Sequence, residues 1–108
     1  MLKTVFSFDY DNTISRDPEG FLRVMEFLRD RGHTVYVVTA RLKHIHPEDF
    51  QMVLDAGWEV IWTEHKAKQQ FMIDRGTPVN VFIDDCPDAL VNDWHGEPRT
   101  FREISEAA

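Results

Sequence analysis

The stretch VFSFDYDNT, residues 5–13, places an apolar strand directly before two aspartates, Asp9 and Asp11. Alternate side chains of a strand share a face, so both carboxylates converge on one spot if the strand persists to residue 11. A loop that begins after Asp9 can also aim both at a common centre. Two anions this close repel, and burial raises at least one of their pKa values unless a cation lies between them. The stretch therefore requires a divalent metal, a shared proton or open solvent.

A second stretch, VNVFIDD at residues 79–85, repeats the pattern of an apolar strand that ends in acids. Its last two residues are Asp84 and Asp85. Two strands that deliver four carboxylates to their C-terminal ends favour a hard-cation site over a shared proton or open solvent.

Strand and helix patterns alternate along the chain. We predict strands at 3–9, 34–39, 58–63 and 79–84, helices at 19–31, from Pro47 to Gly57 and at 64–75, and an edge strand near 98–101. Near-continuous apolar strands between amphipathic helices predict an α/β fold with a three-layer, doubly wound parallel sheet in one domain, residues 1–108. Ligands of such sheets bind outside the carboxyl ends of the strands, where the paired acids and Thr39 fall.

Composition limits the classes of partner. The net charge of −7 argues against generic electrostatic attraction to nucleic acid or to an anionic membrane, although a local basic patch could still exist. A single cysteine, Cys86, excludes an intramolecular disulfide and fits a reducing compartment. No signal peptide is apparent and no apolar stretch reaches membrane-spanning length. We therefore expect a cytoplasmic protein without a membrane partner.

Four motifs in order resemble those of the haloacid dehalogenase superfamily of phosphohydrolases. DYDNT at residues 9–13 matches DxDxT, with Asn12 where the family often has glycine. Thr39 closes a strand, a lysine opens the helix before the fourth strand, and FIDD at residues 82–85 ends in paired acids. The resemblance covers about residues 1–90 and implies a Rossmann-like core.

The resemblance also implies roles for the acids. Asp9 would be the nucleophile, which forms an aspartyl-phosphate and splits one difficult hydrolysis into two easier steps. Asp11 would be the general acid and base, and its backbone carbonyl a metal ligand. The implied cofactor is Mg²⁺, held by Asp9, Asp11 and Asp84, with Asp85 close by and acting through water. Which of Asp84 and Asp85 contacts the metal directly stays open.

Thr39 and a lysine would bind the transferring phosphoryl group. The lysine is either Lys66 or Lys68, and we favour Lys68 because Phe71 and Met72 follow it at helical spacing and would dock the helix. A threonine in a strand is usually only a good strand former, and a helical lysine is usually a solvated charge. The phosphate-binding roles of Thr39 and the lysine are therefore supported only by where the two residues fall in the chain.

Two further features each have two interpretations. The loop that follows Thr39 carries Arg41 and the basic residues Lys43, His44 and His46. It either binds substrate phosphates from an open rim or is an ordinary polar loop. Asp88 either supports the metal site or caps a helix that starts near Pro87.

Spacing leaves no room for a cap domain. One helix fills most of residues 14–38, and a loop, a helix and a strand fill residues 40–65. Capless family members have open sites, which suits a nucleotide, a nucleic-acid end or a phosphoprotein, unless a partner subunit in an oligomer supplies the cover. The segment Thr39-Ala40-Arg41 is similar to those of polynucleotide and nucleotide phosphatases.

The expected function is hydrolysis of a phosphomonoester by an Mg²⁺-dependent phosphatase through an aspartyl-phosphate. A second possibility is a receiver-like phosphoacceptor module, which the order of motifs disfavours because the third strand ends in Trp62 and Thr63 without an acceptor. A third is a catalytically silent phosphate-binding or interaction protein. Retention of both Asp9 and Asp11 argues against it, because binding alone needs no general acid.

Overall fold

The computed structural model describes residues 1–94 of the chain. In this part, strands and helices alternate: β1 Val5–Phe8, α1 Pro18–Asp30, β2 Thr34–Thr39, α2 Gln51–Asp55, β3 Val60–Trp62, α3 Lys68–Asp74, β4 Val81–Ile83 and α4 Asp88–Val91. The strands form one parallel sheet in the order β3-β2-β1-β4. The predicted α/β class with a parallel sheet is confirmed. The strand predicted near residues 98–101 lies outside the described residues.

The helices differ from their predicted bounds for local reasons. The first begins at Pro18, where Asp17 accepts a hydrogen bond from the Gly20 amide at 3.1 Å, as an N-cap does. The helix predicted over 64–75 begins only at Lys68, because Glu64 and His65 have φ of 53° and 71°, outside the helical region. The helix predicted from Pro47 opens as a 3₁₀ turn, Pro47–Phe50, and becomes α-helical at Gln51. No helix among residues 1–94 has the length and apolarity needed to cross a membrane.

Strand β2 contributes apolar side chains to two separate clusters. Val35 and Val37 pack in a cluster with Met25 of α1 and Val53 of α2, and Trp58 joins it at 7 % exposure. Side chains on the other face of β2 pack elsewhere: Val38 packs with Ile61 and with Met72 of α3. Alternate residues of this strand therefore meet different helices, as expected for a strand covered by helices.

The sheet order reverses beside β1. From β1 the chain moves outward through β2 and β3, and then returns to place β4 on the other side of β1. Phe8 pairs with Ile83, and the Asp9 amide donates a hydrogen bond to the Ile83 carbonyl at 2.9 Å. Asp9 and Asp84 therefore leave adjacent strands at the position where ligands bind in sheets of this kind.

Candidate functional site

Asp9 lies directly after β1 and is almost fully enclosed, with 6 % of its surface exposed. One carboxylate oxygen, Oδ1, accepts a hydrogen bond from Lys68 Nζ at 2.8 Å. The other, Oδ2, accepts one from the Thr13 hydroxyl at 3.4 Å. The threonine of the DxDxT motif thus supports the first aspartate, a contact that the motif itself could have suggested.

Lys68 reaches the strand ends from the first residue of α3. Its side chain is 2 % exposed, and Nζ donates to Asp84 Oδ2 at 2.6 Å as well as to Asp9. Met72, one turn later, is fully buried and docks the helix. Lys66 is instead largely exposed, 3.8 Å from Asp93 Oδ2. The structure therefore places Lys68 at the strand ends and Lys66 outside them.

The ammonium of Lys68 is held charged by its partners. Burial alone would lower the pKa of Lys68, because it disfavours the charged form. The charges of Asp9 and Asp84 and their hydrogen bonds outweigh this effect and raise that pKa above its usual value. Lys68 thus provides a fixed positive charge beside Asp9.

Three carboxylates could hold a metal ion together. Oxygen atoms of Asp9, Asp84 and Asp85 all lie within 4.8 Å of one another, with Asp9 buried, Asp84 half-buried and Asp85 exposed. Asp84 is oriented by the Cys86 amide, which donates to its Oδ1 at 2.9 Å. Burial, followed by the charge of Asp84, raises the pKa of Asp9 well above its usual value despite the opposing charge of Lys68. These all-oxygen donors match the preference of hard divalent cations.

The carboxylate of Asp11 is not a member of this acid group. Among the described residues, the group that could share one ion contains Asp9, Asp84 and Asp85 but not Asp11. The strand ends at Phe8, and Asn12 adopts a left-handed φ of 58°, so the alternation of a strand does not extend to residue 11. The convergence expected for an unbroken strand therefore does not apply, and the expected role of Asp11 as general acid and base stays a prediction. The expected role of its backbone carbonyl stays a prediction.

Arg41 is the partner of Asp11. Its Nε donates to Asp11 Oδ2 at 2.8 Å, and its Nη2 donates to Asp11 Oδ1, a bidentate pair. Nη1 donates to Asp49 Oδ2 at 2.8 Å. The side chain is 0 % exposed, so the prediction that Arg41 lies on an open rim is wrong. Burial opposes its charge, but the hydrogen bonds and charges of Asp11 and Asp49 raise the pKa of Arg41 above its usual value.

Two aromatic rings enclose the guanidinium of Arg41. Its carbon atom Cζ lies 5.0 Å from the centre of the Phe50 ring and 5.6 Å from that of Tyr10. Tyr10 and Phe50 also contact each other, with ring centres 4.4 Å apart. The sequence predicts neither ring nor Asp49 as part of the site. Their only sequence signal is proximity to Asp11 and Arg41 along the chain.

Thr39 ends β2, the neighbour of β1, and is 1 % exposed. Its hydroxyl accepts a hydrogen bond from the Arg41 amide at 3.2 Å. This contact fixes the turn that directs Arg41 inward. The hydroxyl hydrogen remains available to donate to a ligand.

The remaining predicted residues lie at the periphery. Lys43, His44 and His46 are exposed, and the carbonyl of His46 accepts a hydrogen bond from Arg41 Nη1 at 3.3 Å. Asp88 is the first residue of α4 and accepts from the Asn92 side chain at 2.7 Å, outside the acid group. The prediction that Asp88 caps the helix is wrong, because the N-cap position is Pro87 and the Asp88 side chain makes no capping hydrogen bond.

A shallow depression of about 380 Å³ adjoins the acid group. Its lining includes Thr13, Arg16, Phe21, Asp84 and Asp85. A ligand bound there would lie next to Asp84 and Asp85. No known protein family, curated protein or solved structure matches this chain.

Proposed function

We propose that this protein is an Mg²⁺-dependent phosphatase that hydrolyses a phosphomonoester through an aspartyl-phosphate on Asp9. The observation that carries the proposal is the environment of Asp9. A buried lysine ammonium lies 2.8 Å from its carboxylate, and two further acids lie within 4.8 Å. Nucleophile, cation and acids meet where the sheet order reverses, the usual position of a ligand site.

In the first step, a carboxylate oxygen of Asp9 attacks phosphorus. The oxygen–phosphorus bond to Asp9 forms, the bond to the leaving oxygen breaks, and Asp11 supplies a proton to an alkoxide leaving group. Lys68 and the Thr39 hydroxyl bind the transferring phosphoryl oxygens. The ammonium of Lys68 is fixed by Asp9 and Asp84 before substrate arrives, so this charge needs little reorganisation.

The donor set fits a hard divalent cation. Asp9, Asp84 and Asp85 offer carboxylate oxygens only, and the ammonium of Lys68 contacts two of these acids, Asp9 and Asp84. Asp9, Asp84 and the backbone carbonyl of Asp11 would hold the ion, with Asp85 supporting it. When bound, Mg²⁺ neutralises the acids and aligns the substrate phosphate.

In the second step, water attacks the phosphorus of the aspartyl-phosphate. Asp11 accepts a proton from this water, the bond from phosphorus to Asp9 breaks, and phosphate leaves. The Asp9 carboxylate is then ready for another turnover. This two-step route uses each acid of the DxDxT segment for a different task.

The proposed architecture is a capless, Rossmann-like, three-layer sheet. The two apolar clusters on β2 support helices on both faces. Short connections after β1 and β2 support an open site, as do the exposed Asp85 and the shallow depression beside it. An open site suits a nucleotide, a nucleic-acid end or a phosphoprotein. The free thiol of Cys86 agrees with a cytoplasmic location.

A substrate screen tests the proposal. Purified protein with Mg²⁺ is offered phosphorylated nucleotides, oligonucleotide ends, phosphopeptides and sugar phosphates, and phosphate release is measured. We expect turnover of at least one class and its loss in Asp9→Asn. The matched control is Asp74→Asn, an exposed acid at the far end of α3, which should keep full activity. Release that persists in Asp9→Asn would contradict the assigned nucleophile.

A further inference from the structure

The depression beside Asp84 and Asp85 is also lined by a cation and an aromatic ring. Arg16 is the last residue of a 3₁₀ turn, Ile14–Arg16, that follows the DxDxT segment. Phe21 lies in the first turn of α1. The volume of the depression, about 380 Å³, falls at the lower end of the range for small-ligand sites, roughly 300–1,000 Å³. The proposed mechanism uses neither of these two side chains.

The charge of Arg16 has no acidic partner among residues 1–94. The arginines of this part of the chain that form ion pairs are Arg23, Arg29, Arg41 and Arg75. Asp17, the next residue, instead accepts a hydrogen bond from the Gly20 amide at 3.1 Å. Both oxygens of Asp84 accept hydrogen bonds from other donors. The exposed guanidinium of Arg16 is therefore available to an anionic ligand in the depression.

The ring of Phe21 is held by the core while it lines the depression. It meets the Phe8 ring edge-on, with the ring centres 6.3 Å apart. The Phe21 amide donates a hydrogen bond to the Asp17 carbonyl at 3.0 Å, which fixes the backbone. The side chain is half-buried, so part of the ring stays accessible to a ligand. A fixed and partly accessible ring is a platform on which a nucleobase stacks.

Charge complementarity makes a phosphate the group that fits Arg16. The net charge of −7 repels anions from the molecule as a whole, so an anionic ligand needs a local cation. Lys68 is already engaged by two acids and is assigned to the transferring phosphoryl group. The planar fork of a guanidinium matches the oxygens of a phosphate. A nucleotide offers both a base for Phe21 and a phosphate for Arg16.

We propose that Arg16 and Phe21 are specificity-determining residues that select a nucleotide with a second phosphate besides the one removed. This inference rests on the proposed function. The base stacks on Phe21, and the second phosphate binds Arg16. The chemistry at Asp9 is unchanged: the bond from phosphorus to the leaving oxygen breaks, and the leaving nucleotide keeps its second phosphate. A nucleoside bisphosphate and the phosphorylated end of an oligonucleotide both offer these groups.

Steady-state kinetics with Mg²⁺ test the role of Arg16. Adenosine bisphosphate, with one phosphate on each side of the ribose, is compared with the two adenosine monophosphates that each lack one of them. We expect the wild type to have a kcat/KM about tenfold higher for the bisphosphate than for the better monophosphate, the effect of one exposed charge-assisted contact. Arg16→Gln should reduce this ratio to about one, because the second phosphate loses its cation.

Arg31→Gln is the matched control for Arg16→Gln. Arg31 is also exposed and forms no ion pair within the described part of the chain, but it lies at the other end of α1. Its replacement should keep the ratio of the wild type. Salt gives a second measurement, because exposed charges are screened. Raising the salt concentration should lower the ratio in the wild type and leave that of Arg16→Gln where it is.

Phe21→Leu tests the ring, since leucine keeps an apolar side chain but removes the stacking surface. The ratio of kcat/KM for adenosine monophosphate to that for glycerol phosphate, which has no ring, should fall about tenfold. A short oligonucleotide with a terminal phosphate distinguishes the two sources of the nucleotide. A higher kcat/KM than that of the bisphosphate, lost in Arg16→Gln, assigns the nucleic-acid end, and a lower one assigns the free nucleotide.

Three results would overturn the inference and leave the proposed function standing. They are turnover without a preference for a second phosphate, a preference that persists in Arg16→Gln, and a phosphoserine peptide that is a better substrate than any nucleotide. Absence of phosphate release by the folded wild-type protein with every one of these substrates would instead contradict the proposed function, and the inference with it.

Discussion

Arg41 has an environment far from the one its charge suggests. Three of its nitrogens donate to acids, and two aromatic rings enclose its guanidinium. Removing one member of such a buried network leaves the other charges uncompensated. The energetic consequence therefore differs from that of a surface arginine.

The first prediction concerns this network. Arg41→Ala should lower the free energy of unfolding by about 3–5 kcal/mol, because Asp11 is left as a buried anion without its partner. Arg75→Ala, which breaks a more exposed pair with Glu59, should cost at most about 1 kcal/mol. Urea unfolding of both variants measures the difference. Similar costs would contradict the buried role of Arg41.

Asp9 gives a pH prediction in metal-free buffer. Burial and the neighbouring acids raise its pKa in the folded protein above the usual 3.8, so above that pH the native state retains a proton that the unfolded chain has lost. Its contribution to the free energy of unfolding must then fall as the pH rises. The stability of the wild type minus that of Asp9→Asn should decrease as the pH rises above the usual pKa of 3.8.

Chemical unfolding in the presence of a chelator measures this difference at each pH. Mg²⁺ should reduce the slope, because a bound cation favours the carboxylate over the acid. A difference that grows with pH would show that Lys68 dominates and that the pKa of Asp9 is lowered instead.

The site residues differ in how well the sequence alone predicts them. Asp9 and Asp84 follow apolar strands, so their position depends on local patterns that the sequence displays. The sequence favours Lys68 over Lys66 because its helix must dock through Met72, and burial of Met72 agrees. The position of Arg41 is predicted wrongly because its partner Asp11 lies thirty residues away in the chain. Only tertiary packing decides whether a loop cation faces solvent or a buried acid.

At the scale of elements, the carboxyl ends of β1 and β4 assemble the acid group. The two strands are paired, so Asp9 and Asp84 follow neighbouring positions in the sheet. Strand positions could be predicted because apolar runs with flanking turns are clear signals. The start of α3 could not, because the left-handed φ of Glu64 and His65 has no marker such as glycine. The fit of α3 against the sheet nevertheless decides where Lys68 lies.

The paired strand ends lead to a prediction about Mg²⁺. Because the ion would bind the native acid group and not the unfolded chain, Mg²⁺ at 100 times its dissociation constant should stabilise the protein by about 2.7 kcal/mol. Asp84→Ala should abolish this gain. Asp88→Ala, an exposed acid four residues later and outside the acid group, should keep it. Thermal unfolding with and without Mg²⁺ provides the measurement.

An unchanged Mg²⁺ response in Asp84→Ala has a clear meaning. The direct ligand would then be Asp85, and Asp85→Ala should lose the response in its place. If neither variant changes the response, the three carboxylates do not form the cation site.

At the scale of the whole molecule, the sheet fixes the positions of the candidate site residues, which lie in the segments that follow its strands. Asp9, Asp84 and Lys68 come from three different parts of the chain and meet at one end of the sheet. The net charge of −7 makes a local cation important for any phosphorylated substrate, because the protein as a whole repels anions. The proposed function therefore depends on one central claim, that phosphate is transferred to Asp9.

Mass analysis of the acid-quenched reaction tests this claim most directly. The protein is mixed with Mg²⁺ and a phosphomonoester that it has been shown to hydrolyse. The reaction is quenched with acid within the first turnover, and the protein is digested to peptides. We expect one added phosphoryl group on the peptide that contains Asp9, and none in Asp9→Asn. Phosphate release by the wild type without any phosphorylated Asp9, or with the phosphoryl group on another residue, would contradict the claim.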